Sequence, residues 1–147
     1  MKSQLLQQLK ATLNQRLATA LAAMQAAQES SNAEGKSSAG DKYETTRAMG
    51  HLDREMHGRQ YEQIRQERVM IERIDENQVF IKGAFGALMN TSMGWFWLTV
   101  SAGQMEVLDK KVMVISPQSP IGQLLMGKSA GDSVDFRGKN IEVLEVF

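Results

Sequence analysis

Residues 6–28 read LQQLKATLNQRLATALAAMQAAQ, and this stretch decides the N-terminal half of the fold. Its larger apolar side chains recur every three or four residues, which is the spacing of one helix face: Leu6, Leu9, Leu13, Leu17, Leu21 and Met24. Alanine fills many of the other positions and favours helix without adding bulk. The pattern predicts a long helix from near Ser3 to near Gln28.

A second helical pattern follows a polar connection. The connection, residues 29–40, reads ESSNAEGKSSAG and contains no large apolar side chain, which is typical of a loop. Beyond it, apolar residues form one broad helix face: Met49, Leu52, Met56, Ile64, Ile71 and Ile74. Two such helices bury their apolar stripes best by folding back on each other. The sequence therefore predicts an antiparallel coiled-coil hairpin over residues 1–75, with its tip near residues 29–44.

From residue 76 the pattern changes to strands and turns. The predicted strands are Gln78–Leu88, Trp95–Ser101, Val112–Ile115, Ser133–Phe136 and Ile141–Val146. A short helix is predicted over residues 119–126, because Ser119 is a good N-cap and Pro120 suits the first helical position. The fold class is therefore α+β, with a small, mostly antiparallel sheet domain over residues 76–147. Trp95 and Trp97 share one strand face, which is either part of the core or a partner surface.

Composition excludes several classes of protein. The chain has 147 residues, with 17 Lys plus Arg against 17 Asp plus Glu, so charge alone does not favour nucleic-acid binding. It has no cysteine, which excludes disulfides, thiolate catalysis and Cys-based metal sites. Polar residues interrupt each apolar stretch near the N-terminus, so we expect no membrane segment and a cytoplasmic location. No Ser-His-Asp arrangement is visible, and we expect that the chain is not itself an enzyme.

Residues Gly122–Ser129 match the spacing of the phosphate-binding loop, GxxxxGKS. That loop binds phosphate with a strand before it and a helix after it, so that helix amides face the anion. Here the predicted order is reversed, with the helix before Gly127 and a strand after Asp132. We therefore expect no nucleotide at Gly122–Ser129, and we interpret Gly127 as a helix C-terminal cap.

Asp41 and Glu44 allow two interpretations. An Asp at a helix start with a Glu three residues later is a capping box, which satisfies free amides and suits the helix dipole. Alternatively, the two carboxylates form an anionic pair at the hairpin tip that helps to hold a divalent metal, for which carboxylate oxygens are suitable ligands. Such a pair would need a partner to complete the metal's ligands.

The last third of the chain resembles a known family. Residues 114–128 read VISPQSPIGQLLMGK and are followed by Gly131, Asp132 and Val134. This run is similar to the C-terminal signature of the Gre transcript-cleavage factors. The order of elements, a helical hairpin and then a sheet domain, resembles that family over the whole chain. The resemblance implies that the sheet domain is FKBP-like.

The resemblance also implies a function. Gre factors bind bacterial RNA polymerase and insert the hairpin tip into its secondary channel, where tip carboxylates help to place a catalytic Mg²⁺ so that the polymerase cleaves backtracked RNA. By this resemblance Asp41 and Glu44 are the catalytic and metal-binding candidates, acting only in complex with the polymerase, which supplies the Mg²⁺. The chain has no cofactor of its own and meets RNA only indirectly. The implied polymerase-docking residues are Ser119, Pro120, Ile121, Leu124, Gly127 and Lys128.

The tip departs from the family motif, which reads Gly-Asp-Leu-x-Glu-Asn-x-Glu-Tyr. Gly40, Asp41 and Glu44 agree with it, but the later positions are Thr45, Arg47 and Ala48. An arginine three residues from Glu44 could pair with it and draw it away from a metal. The alternatives are therefore a channel-binding regulator that does not stimulate cleavage, and a non-catalytic interaction module that self-associates.

Overall fold

Two long helices form an N-terminal helical hairpin. The computed structural model describes residues 1–34 and 40–147, and the side chains of these residues except 30–48, 50 and 51. Helix α1 spans Lys2–Glu34 and helix α2 spans Gly40–Ile71. Helix α1 therefore continues to Glu34, six residues beyond the predicted end at Gln28, and the prediction of a loop over residues 29–34 is wrong. Residues 35–39 of the predicted tip lie outside the described residues.

Hydrogen bonds between the two helices give their direction. Arg68 Nε donates to Asn14 Oδ1 at 3.0 Å, and Arg54 Nη1 donates to Gln28 Oε1 at 2.7 Å. The partner on α1 moves towards higher residue numbers as the partner on α2 moves towards lower ones. The two helices are therefore antiparallel, as the sequence predicts. No helix in the described parts of the chain has both the length and the apolarity needed to cross a membrane.

A six-stranded sheet forms the C-terminal part. Its strands are β1 Leu88–Thr91, β2 Gly94–Leu98, β3 Gly103–Val107, β4 Lys110–Ile115, β5 Ser133–Phe136 and β6 Lys139–Val146, and helix α3, Pro120–Leu125, lies between β4 and β5. The strand order is β3-β4-β2-β1-β6-β5. Only β2 and β4 pair in parallel, so the sheet is mostly antiparallel. The α+β fold class is confirmed.

Two apolar layers stabilise the sheet. On one face a buried cluster joins β1, β2, β5 and β6 to α3: Met89, Phe96, Leu98, Leu125, Val134, Ile141 and Val143. Neighbouring residues on each strand alternate between faces, so Leu88, Trp97 and Val114, which lie side by side, belong to the opposite face and are buried as well. A sheet that is apolar on both faces requires cover on both sides.

The chain divides into two compact units. One comprises Met1–Lys10 together with Ile71–Phe147, and the other comprises Ala11–Met70. The first turns of α1 therefore belong with the sheet, where Leu5, Leu6 and Leu9 are buried. Gln8 Nε2 donates to Glu106 O of β3 at 3.0 Å, which attaches α1 to that edge strand. The predicted domain boundary between residues 75 and 76 stays a prediction.

The segment that follows α2 differs from the prediction. We expected a strand over residues 78–88, but the structure has only an isolated bridge there, between Lys82 and Ser129, before β1 begins at Leu88. Glycine explains the difference. A side chain at Gly83 would place its Cβ 2.0 Å from Leu125 O, so the chain meets the end of α3 at this point rather than a neighbouring strand.

Candidate functional site

A turn, a short helix and a second turn occupy residues 116–128, the segment that carries the family resemblance. Ser119 is the N-cap of α3, and its Oγ accepts a hydrogen bond from Gly122 N at 3.1 Å. The same hydroxyl donates to Ser116 O at 2.6 Å. Pro120, the first residue of α3, has a fixed φ that suits a helix start. The serine and the proline therefore determine where this six-residue helix begins.

Two glycines allow this segment to pack without space for a side chain. A Cβ on Gly122 would lie 2.1 Å from Ser116 O, and one on Gly83 would lie 2.0 Å from Leu125 O. Real Cβ atoms essentially never approach backbone oxygens so closely. Gly122 therefore holds the start of α3 against the preceding turn, and Gly83 holds its end against the segment that precedes β1.

The end of α3 is also fixed by backbone hydrogen bonds. The C-cap of α3 is Met126 rather than Gly127, which we interpreted as the cap. Gly127 follows it with φ +77°, a left-handed conformation that glycine adopts without strain. Gly127 N donates to Gly83 O and Gly83 N donates to Lys128 O, both at 2.8 Å. Beyond this pair, Asp132 Oδ2 accepts from Ser129 N at 2.8 Å and closes the turn into β5.

This geometry bears on the match to a phosphate-binding loop. Residues 122–125 lie in α3 rather than in a loop, and the chain after Lys128 turns into β5 rather than into a helix. The amide of Ser129, which a phosphate-binding loop would direct at its ligand, is hydrogen-bonded to Asp132. The order of elements is therefore the reverse of the one that binds phosphate.

The implied docking residues differ in exposure. Pro120 and Gly127 are exposed, and Ser119 and Lys128 are partly exposed. Ile121 and Leu124, by contrast, pack against the buried cluster beneath α3. These two residues hold the helix on the sheet, so the surface open to a partner lies on the other side of the helix.

That outer surface includes two residues that the sequence did not single out. Gln123 is exposed and Met126 is 39% exposed, and with Pro120 they follow one another at intervals of three residues. Residues three apart on a helix share one face. Pro120 and Gln123 lie in α3, and Met126 is its C-cap residue, directly after the helix. We call these three residues the outer face of α3. The sequence could have indicated these positions, because they are the ones left over when Ile121, Leu124 and Leu125 are assigned to the core.

The tip candidates are only partly described. The backbone of Asp41 and Glu44 belongs to α2, which places them three residues apart on a helix. Their side chains lie outside the described residues, as do those of Thr45, Arg47 and Ala48. Among the side chains that the structure describes, no group of three or more acidic or histidine residues could hold a metal ion.

No family model and no curated protein sequence matches the chain. The chain is similar to a solved structure described as that of the transcription factor Gfh1, with 18% sequence identity and a TM-score of 0.38. That similarity covers 93% of this chain and 92% of the other.

Proposed function

We propose that this protein is a Gre-like transcription factor that docks on bacterial RNA polymerase through its sheet unit. The observation that carries the proposal is the segment 116–128, which resembles the Gre signature and forms a helix fixed at both ends by serine and glycine. Because the backbone of this segment is already fixed, it loses little conformational entropy when a partner binds. The N-terminal helical hairpin supports the same proposal.

Docking uses the outer face of α3 rather than all six residues that the resemblance implies. Ile121 and Leu124 contribute by holding α3 on the core, and Pro120, Gln123 and Met126 contact the polymerase. A negative charge at Met126 lies outside the buried cluster beneath α3, because this residue is 39% exposed and does not belong to that cluster. It should nevertheless weaken docking, since it places a charge in the interface.

A binding assay with core polymerase tests docking. We expect immobilised polymerase to bind the wild-type chain at low salt and to bind Met126→Glu at least about tenfold more weakly, a loss of 1.4 kcal/mol. The matched control is Met93→Glu, because Met93 is 47% exposed. Met93 lies just before the start of β2, whereas α3 follows the end of β4, and β4 runs parallel to β2. The two methionines thus lie at opposite ends of these strands. Equal binding by both variants would remove the outer face from the proposal.

The tip acts inside the polymerase in this proposal. Two carboxylates three residues apart on α2 supply hard oxygen ligands, and the polymerase supplies Mg²⁺ and the remaining ligands. Their role is to help place the ion and a water for cleavage of backtracked RNA. Transcript cleavage in a stalled elongation complex measures this role directly.

The decisive variant is Asp41→Ala with Glu44→Ala. We expect it to dock as the wild type does and to lose stimulation of cleavage. Asp53→Ala with Glu55→Ala removes the same charge from the same helix and is the matched control, because both residues are exposed. If the tip variant cleaves as well as the control, the tip assignment is wrong. If the wild type docks without stimulating cleavage, the protein is a channel-binding regulator instead.

A second candidate function is self-association through α2. Met49, Leu52 and Met56 are 63%, 64% and 43% exposed, and their spacing of three and four residues places them on one helix face. An exposed apolar stripe of this kind is a feature of helix-to-helix interfaces. If α2 does not self-associate, light scattering should report a monomer. If α2 is an interface, light scattering should report a dimer, and Leu52→Glu should dissociate it.

A further inference from the structure

A half-open cavity of about 340 Å³ lies in the sheet unit. None of its lining residues belongs to α3 or to the proposed docking residues. Its apolar walls come from Val79, Leu88, Trp95 and Phe147. Trp95 and Phe147 stack on each other with their ring centroids 5.8 Å apart and their planes at 24°. The volume lies at the lower end of the range for small-molecule sites, which are usually apolar with a few polar groups.

Two lysines supply the polar groups. Lys110 Nζ lies 4.8 Å from the centroid of the Trp95 ring, and Lys2 Nζ lies 4.8 Å from the centroid of Phe80. Both lysines line the cavity, together with Glu76. The charged side chains of the lining therefore carry one net positive charge. A ligand with a single negative charge would balance the charge of the lining, to which Asp75, a carboxylate near Lys2, does not belong.

Lys2 is the more unusual of the two, because it is only 9% exposed. Its ammonium group donates to Gln78 O at 2.8 Å, which uses one of three donors. Burial lowers the pKa of Lys2, and the nearby carboxylate of Asp75 opposes that change. An anionic group in the cavity would add a charge-assisted hydrogen bond to a cation that burial penalises.

We infer that this cavity binds a small amphipathic anion, in which an aromatic or branched apolar group carries one carboxylate or sulfonate. The apolar group lies against Trp95 and Phe147, and the anionic group lies between Lys2 and Lys110. Apolar burial supplies most of the affinity, and the two lysines select an anion over a neutral molecule of the same shape. This site is separate from polymerase docking, so the full chain alone suffices to test it.

The probe is 1-anilinonaphthalene-8-sulfonate, an aromatic monoanion, compared with the neutral N-phenyl-1-naphthylamine. We expect one anion per chain, bound about tenfold more tightly than the neutral molecule, a difference of 1.4 kcal/mol. The chain has two tryptophans that report position. Trp95 lines the cavity, whereas Trp97 is fully buried and its Nε1 donates to Gly86 O at 3.1 Å. Titration followed by NMR should therefore shift the indole N–H signal of Trp95 and not that of Trp97.

Neighbouring lysines provide a matched pair of variants. Lys110→Gln should lose the preference for the anion, and Lys111→Gln should keep it, because Lys111 is exposed and does not line the cavity. Equal circular dichroism and equal thermal midpoints for the two variants would show that both are folded. The inference is wrong if the two variants bind the anion equally, or if the indole signal of Trp95 does not move. A shift of that signal by an acidic, aromatic peptide alone would also overturn it, and would assign the cavity to a protein partner.

Discussion

Replacing Gly122 by alanine tests the packing that fixes the candidate docking helix. The new Cβ would lie 2.1 Å from Ser116 O, 2.8 Å from Ser119 Oγ and 3.0 Å from Pro117 Cα. Two of these atoms belong to backbone and cannot rotate away, so α3 must shift. The shift lengthens the 3.1 Å hydrogen bond from Gly122 N to Ser119 Oγ, which is the helix cap.

The magnitude follows from three contributions. Overpacking a close contact costs about 1–3 kcal/mol, and loss of a serine cap costs about 1 kcal/mol. Alanine recovers about 1 kcal/mol as a better helix former than glycine. The net destabilisation of Gly122→Ala is therefore about 2 kcal/mol, which lowers the thermal midpoint of a unit of this size by about 8–16 °C.

Urea unfolding followed by tryptophan fluorescence measures this change, because Trp97 is fully buried in the same unit. Gln123→Ala is the control. That residue is exposed and adjacent, and we expect its replacement to change stability by less than about 0.5 kcal/mol. A Gly122→Ala variant as stable as the control would refute the steric argument. Weakened polymerase docking by Gly122→Ala at a temperature where it remains folded would link the helix position to the proposed function.

Three further predictions concern other parts of the molecule. Gly58→Ala should stabilise α2 by about 0.5–1 kcal/mol in thermal unfolding, because the nearest atom to the new Cβ is Met24 Sδ at an ordinary 3.9 Å; a loss of stability would contradict this. Thr99→Val should raise the unfolding free energy by about 1 kcal/mol, since Thr99 is 1% exposed and its Oγ1 has no hydrogen-bond partner among the described residues; a decrease would mean that the hydroxyl is paired. Lys2 has a pKa below its ordinary value of 10.5, so just below pH 10.5 the unfolded chain binds more protons than the folded one. Stability of the wild type should therefore rise with pH in that range relative to Lys2→Met, and parallel profiles would be inconsistent with a lowered pKa.

The helices could be predicted from the sequence, because the spacing of apolar residues identifies the buried face of a helix. The apolar residues of α1 and the Ser119–Pro120 start of α3 are examples. The end of α1 was not readable. Ser30, Ser31 and Asn32 favour loops, yet the helix runs on to Glu34, because extending an existing helix costs far less than starting one.

Strands were harder to predict where side chains did not alternate clearly. β3 was missed because it is short and half polar, with only Met105 and Val107 buried, and because its turn to β4 uses Leu108 and Asp109 at positive φ rather than glycine. β1 was missed because Asn90 reads as a turn residue.

The candidate site was predicted as a segment but not as a surface. A linear signature does not say which side of a six-residue helix faces the core, so Ile121 and Leu124 entered the docking set alongside Pro120. Burial separates them, and Gln123 and Met126 are exposed residues that the sequence did not single out. The tip residues Asp41 and Glu44 came from the family motif, and their role stays a prediction.

The sheet unit is built from both ends of the sequence, and this has a consequence for synthesis. Met1–Lys10 are synthesised before residues 11–70, and the strands that share their unit are synthesised after them. Three leucines near the start of α1, Leu5, Leu6 and Leu9, are buried in the folded unit. They cannot be buried against its strands until residues 11–70 and the strands themselves have been synthesised. Contacts between such distant parts of a chain form slowly, because conformational entropy is lost in closing the loop before the contacts stabilise it. The leucines at the start of α1 should thus become buried only after the strands of their unit have been synthesised.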